Sequence, residues 1–212
     1  MDKHKISAMS EEKRTALINA AMVEFAQNGY KKTSTDTIIS RAGISKGLLF
    51  HYFGTKKDLY IYLYEYANRI VMKEYNDKID YESKDIFARL RCMILLKFKL
   101  IEAFPAVLDF ISSAYFEKDS AVIGVIGQDS KKLYQEASGK LLESIDLTLF
   151  KPGIDHKIAI QIILFTIKGY SEAQASSDKK TKDYSSQINH YIQEIDEYIT
   201  ALKAAFYRED RV

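Results

Sequence analysis

The stretch Thr33–Lys57, TSTDTIISRAGISKGLLFHYFGTKK, constrains this chain more than any other. Its punctuation is helical. Ser34 stands where a hydroxyl can accept a bond from a free first-turn amide. Ile38 and Ile39 give the helix that follows an apolar side. Ala42 is small enough for a second helix to cross closely, and Gly43 takes the backbone into a turn that residues with a Cβ resist. Ile44 can plug the corner. Ser45 then caps a second helix, on which Leu49 and Phe53 share one face at spacing i, i+4. The other face shows Lys46, Gly47, Phe50 and His51, with Tyr52 at its edge. Gly54 ends this helix, and Thr55, with Asp58 three residues on, opens the next.

Two short helices about a glycine turn, the second presenting a cation, a glycine and aromatics, describe a helix-turn-helix. An ordinary αα-corner carries the same caps. DNA binding is favoured by the outward face, which lacks the Glu/Lys pattern of a solvated helix. The run AGISKGLLFHYFGTKKDLY also resembles the signature of TetR-family transcriptional regulators, A-G-v-s-k-G-t-l-Y-x-y/h-F-x-x-K-x-x-L. The resemblance starts near Arg14 and is specific to about Tyr60. Two positions depart from it. Leu48 stands where the family often has a small polar residue, though it can still meet a thymine methyl. Phe50 stands where Tyr is usual and brings no hydroxyl for a phosphate.

The resemblance implies a DNA-binding head over residues 8–55 and a helical effector-binding and dimerisation body over residues 56–212. At the DNA-facing end, Lys46 and Lys56 are expected to hold phosphates. Thr33, Ser34, Ser45, Gly47 and Tyr52 support them through hydroxyl or backbone N–H groups, Leu48 and His51 reach base edges, and Phe50 completes the face.

Charge placement agrees with one nucleic-acid-facing end. Residues 1–57 hold 10 Lys/Arg against 5 Asp/Glu, a balance of +5, while residues 58–212 hold 21 against 24, a balance of −3. Chance fluctuation produces such counts too. With 47% apolar residues the chain can build a real core, and only 2 prolines and 9 glycines leave long stretches free for helix. Cys92 is the single cysteine and lies in an apolar run, as a buried inert thiol would. The first ten residues are polar, and no apolar run approaches the roughly 20 residues a membrane helix needs. A cytoplasmic protein without a membrane segment is expected.

In chain order, residues 1–9 read as a loose tail in which Lys3, His4 and Lys5 offer a basic arm. A first helix starts at Ser10, buries Leu17, Ile18, Ala21, Met22 and Phe25, and stops at Asn28-Gly29. A fourth, from Lys56 toward Ile79, has a wide apolar surface and links head to body. Further helices run from Ser83 and Asp85 to Phe104, from Ala106 to Tyr115, from about Ser120 to about Ile145, from Asp155 onward, and from about Gln187 to Phe206. Residues 176–186 read as a polar loop. The expectation is an all-α protein of about nine helices, a three-helix helix-turn-helix head followed by a helical body.

His4, His51, His156 and His190 are scattered without metal-ligand spacing, and neither a glycine-rich phosphate loop nor a nucleophile elbow is present. No metal, cofactor or catalytic role is expected. Aromatics crowd the body. They either fill its core or wall a pocket for an apolar or aromatic effector among Tyr64, Phe87, Phe110, Tyr134 and Phe165. Along the last helix Ile188, Ile192, Ile195, Ile199 and Leu202 recur at four and three residues. Ile158, Ile162, Phe165 and Gly169 mark a face of the helix before it. These faces either close this chain's own core or, as the resemblance implies, pair two copies into a homodimer. The function expected is a regulator, a repressor released from a palindromic double-stranded DNA operator by a small effector. The alternative is an effector-independent architectural or division-linked DNA-binding protein.

Overall fold

The structure is a computed structural model and describes Ile6, residues 9–178 and residues 184–211. The tail residues Lys3, His4 and Lys5 lie outside the described residues. Nine α-helices are present among the described residues: α1 (Glu11–Lys32), α2 (Thr35–Ala42), α3 (Lys46–Phe53), α4 (Lys56–Lys78), α5 (Ile86–Ala103), α6 (Pro105–Tyr115), α7 (Ser120–Leu142), α8 (His156–Asp178) and α9 (Tyr184–Phe206). Of the loop expected over residues 176–186, the first part belongs to α8, which continues to Asp178, and the last to α9, which begins at Tyr184; residues 179–183 lie outside the described residues. No described helix is long and apolar enough to cross a membrane.

Local chemistry accounts for most helix ends. Gly29 (φ 67, ψ 177) breaks α1 where Asn28-Gly29 predicts a stop, although three more helical residues follow. Pro105 opens α6 at a position where its missing N–H costs nothing. Asp119 caps α7 through the Ala121 amide (2.9 Å) and Asp155 caps α8 through the Ile158 amide (3.1 Å). Ser10 and Ser34 occupy N-cap positions, but neither hydroxyl makes the expected capping bond.

By packing, the chain divides into two compact units, Met1–Asp77 with Ala103–Ala137, and Lys78–Glu102 with Ser138–Val212. In the first unit, Leu17, Met22 and Phe25 of α1 meet Ile38 and Ala42 of α2 and Leu49 and Phe53 of α3 in one core. That core continues through Leu59, Tyr60 and Leu63 of α4 to Phe110 and Ala114 of α6. Rings carry the join: Tyr60 stands edge-on to Phe25 (4.9 Å), to Phe110 (5.2 Å) and to Tyr30 (5.3 Å). The helix-turn-helix therefore shares its core with α4 and α6.

The second unit closes around Ile86, Phe87 and Leu90 of α5, Ala159, Ile163 and Ile167 of α8, and Ile195 and Ile199 of α9. Tyr207 packs edge-on to both Phe87 and Phe150 at 5.0 Å, and its hydroxyl donates to Asp85 at 2.9 Å. Arg89 is 1% exposed in this unit. Among the described residues its guanidinium donates to main-chain carbonyls: Ser83 (2.6 Å), Tyr81 (2.5 Å), Leu141 (2.9 Å), Glu143 (2.6 Å) and Lys140 (3.3 Å). Cys92 is half-buried, its thiol 3.6 Å from the Lys78 carbonyl.

Candidate DNA-binding interface and effector groove

The turn between α2 and α3 is built as its residues dictate. Gly43 adopts φ 64, ψ 33, and its N–H points to the carbonyls of Ile39 and Ser40. Ile44 is buried against the head core. The Ser45 hydroxyl accepts the Leu48 amide at 3.2 Å and starts α3. Gly54 leaves α3 at φ 73 with its N–H on the Phe50 carbonyl (2.9 Å). The Thr55 hydroxyl then accepts the Asp58 amide at 3.1 Å and opens α4.

The ten residues expected at DNA fall into three groups. Ser34, Ser45, Lys46, Gly47 and His51 are exposed. Leu48, Phe50 and Tyr52 are half-buried and lean on the head core, and Lys56 is half-buried as well. Thr33 is buried, and its hydroxyl donates to the carbonyls of Gly29 (2.7 Å) and Glu24 (3.2 Å). That hydroxyl is committed inside the head, which sequence spacing could not show.

Lys46 reaches Asp36 at 3.0 Å with both side chains well exposed. Such a surface pair is weak, so a phosphate can replace it at small cost. Lys56 is held more firmly. Its ammonium donates to the carbonyls of Thr33 (2.8 Å) and Lys31 (3.2 Å) and lies 4.8 Å over the Tyr30 ring. Burial lowers its pKa, with the nearby Asp119 carboxylate opposing the shift. Lys56 is therefore a C-terminal cap for α1, whatever else it touches.

Of the five expected pocket residues, Tyr64 and Phe110 belong to the first unit and Phe87 and Phe165 to the second. Phe110 is fully buried beside Phe25 and Tyr60 in the first unit, while Phe87 is core in the second. Phe165 is 71% exposed on α8. The Tyr134 side chain lies outside the described residues. The aromatic excess goes largely into core rings packed edge to face. Tyr64 does line a groove of about 450 Å³, with Asn68 and Met72 of α4 and Leu133 of α7. Glu65, Arg69, Lys132 and Glu136 add charge to its walls.

The expected dimer residues also separate. On α8, Ile158 (54%), Ile162 (42%), Phe165 (71%) and Gly169 are exposed. On α9, Ile195 and Ile199 are buried in the chain's own core, and Leu202 packs against it. Ile188 and Ile192 are half-buried. For Ile195, Ile199 and Leu202 the seam closes this protomer. The residue on α9 that joins the exposed apolar set is Tyr198, 44% exposed and 5.3 Å from the Tyr170 ring.

Residues 17–63 match the family described as bacterial regulatory proteins, tetR family. Over those residues the chain carries a TetR-family head. It is a transcriptional regulator with an N-terminal helix-turn-helix head. The fatty acid metabolism regulator protein of Bacillus subtilis is 24% identical over 164 residues, which cover 77% of this chain and 84% of that protein. Among solved structures, a TetR family transcriptional regulator from Chloroflexus aurantiacus superposes with a TM-score of 0.68 at 21% identity, over 98% of this chain and 99% of that one. FadR of B. subtilis, solved in complex with stearoyl-CoA, gives 0.56 at 21% identity, over 85% of this chain and 96% of that one. At such identities these structures share the TetR fold.

Proposed function

We propose that this TetR-family chain is a cytoplasmic, dimeric repressor whose head, residues 8–55, binds a palindromic operator and whose body, residues 56–212, carries the effector and dimer surfaces. The effector class proposed is a long-chain acyl-CoA. Gly47 carries most of the argument for the interface. It sits in the exposed first turn of α3, and a Cβ there would meet nothing within 4 Å in the free chain. A helical glycine costs roughly 0.5–1 kcal/mol relative to alanine. The chain's own packing does not require it, so an approaching phosphate backbone is the natural reason for its small size. Gly47→Ala is therefore expected to leave thermal stability unchanged or raised, and to weaken duplex binding. Lys46→Ala should weaken all duplexes alike and reduce the slope of log K against log salt by about one unit. Unchanged binding in both variants, measured by fluorescence anisotropy across a salt series, would remove α3 from the interface.

For the effector, support comes from the B. subtilis relative's role in fatty acid metabolism and from the stearoyl-CoA held by its structural neighbour. The groove beside Tyr64 adds Met72 and Leu133 for an apolar chain and Arg69 and Lys132 for an anionic head. The test is a gel shift with DNA from immediately upstream of this gene. Stearoyl-CoA should release the complex and raise the melting temperature of the free protein, and CoA alone should do neither. Release by neither stearoyl-CoA nor shorter acyl-CoAs would discard this effector class.

A further inference from the structure

Between the break in α1 and the start of α2 the chain is gripped from two sides. On one side is Glu117, in the turn between α6 and α7. Its Oε2 accepts the Tyr30 amide at 2.7 Å, and its Oε1 accepts the amides of Lys118 (2.8 Å) and Asp119 (2.9 Å) in its own turn. On the other side is Lys56, holding the carbonyls of Lys31 and Thr33. Thr33 folds back onto the Gly29 carbonyl, and the next residue is the N-cap of α2. The carboxylate lies against the break, since a Cβ on Gly29 would stand 3.4 Å from Glu117 Oε2. Burial pushes the Glu117 carboxyl up, but the amides of Tyr30, Asp119 and Lys118 outweigh it, and its pKa lies below the usual value.

Around this point α1 meets α6 through Phe25, Phe110 and other apolar side chains. Apolar burial is strong but non-directional, so it permits small rotations and slides. Charge-assisted bonds from one carboxylate to amides of two segments are directional and fix a register. We infer that Glu117 is a positioning residue for DNA recognition: it sets the angle at which the helix-turn-helix departs from α6 and α7, and thereby the half-site spacing that a pair of heads accepts. The inference rests on the dimeric, palindrome-reading function proposed above. It also gives a route by which movement of the α6–α7 turn reaches the head without passing along α4.

The test uses the full chain, a half-site selected from random duplexes, and a spacing series built from two copies of that half-site. The wild type should bind its preferred spacing roughly tenfold more tightly than spacings altered by about two base pairs. Glu117→Ala should lose most of that preference, while its affinity for a single half-site at low salt stays within about twofold of wild type. Glu117→Gln keeps a single acceptor oxygen and should fall between; it also serves as the readout if the alanine variant fails to fold. Wild-type spacing preference in a folded Glu117→Ala or Glu117→Gln variant overturns the inference. A wild-type chain without any spacing preference overturns the dimeric reading, and this inference with it.

Discussion

Replacing Arg89 by methionine should cost about 3–5 kcal/mol of stability, a large loss for a single polar side chain. Arg89 is 1% exposed, and its hydrogen bonds reach two separate stretches, Tyr81 and Ser83 before α5 and Lys140, Leu141 and Glu143 at the end of α7. The second stretch is the negative end of a helix, where unpaired carbonyls favour a cation. Methionine keeps much of the volume but donates nothing. Each carbonyl left dry costs about 1–3 kcal/mol, less whatever water or local movement recovers. Lysine restores the charge without the planar fork and should recover only part of the loss. In a chain of this size the Met substitution corresponds to a fall in melting temperature of roughly 10 °C. Thermal and urea denaturation followed by circular dichroism would check it. A Met variant within about 1 kcal/mol of wild type would mean that solvent replaces the guanidinium at little cost.

That clamp marks the boundary between what the amino-acid string makes visible and what it hides. The helix-turn-helix is legible because its determinants are local. Gly43 and Gly54 at positive φ and Ser45 on the Leu48 amide act within a few residues of themselves. Arg89 and Glu117 are silent in sequence. Each looks like an ordinary polar residue in a helical chain, and each acquires its role from backbone groups that only the fold brings near, 87 residues away for the Glu117–Tyr30 bond. No spacing rule connects a side chain to a carbonyl or amide so distant in sequence.

The pocket illustrates a different limit. Composition reports how many rings there are, not which of them meet. Phe110 and Phe87 are buried in separate cores, and Phe165 is at the surface. The groove that does form owes its walls to Asn68, Met72 and Leu133 around Tyr64, and none of those three stands out in the sequence. Periodicity has the same ambiguity. A stripe at four and three residues shows that one face of α9 is apolar, while burial shows that Ile195 and Ile199 on that face already pack inside their own protomer.

That distinction separates two substitutions of the same chemistry. Phe165→Glu should leave the chain folded, with a melting temperature within a few degrees of wild type, because the ring is 71% exposed and little of the protomer's core depends on it. If the α8 face with Ile158 and Ile162 pairs two copies, the same change should yield a monomer. Burying one large apolar side chain contributes roughly 1.5–3 kcal/mol, and a charge at the centre of such a face adds a desolvation cost. Specific binding to a palindrome should then collapse, because one recognition helix contacts too few bases by itself, while weak non-specific binding persists at low salt. Ile195→Glu should behave differently. At 1% exposure the carboxylate would enter the core that Ile195 shares with Phe87 and Ile163, and the second unit should unfold or become strongly destabilised whether or not the chain dimerises. Sedimentation velocity and circular dichroism on both variants separate the two surfaces. A folded Phe165→Glu chain that stays dimeric places the interface away from α8, and a folded, monomeric Ile195→Glu chain would show that the α9 seam faces a partner after all.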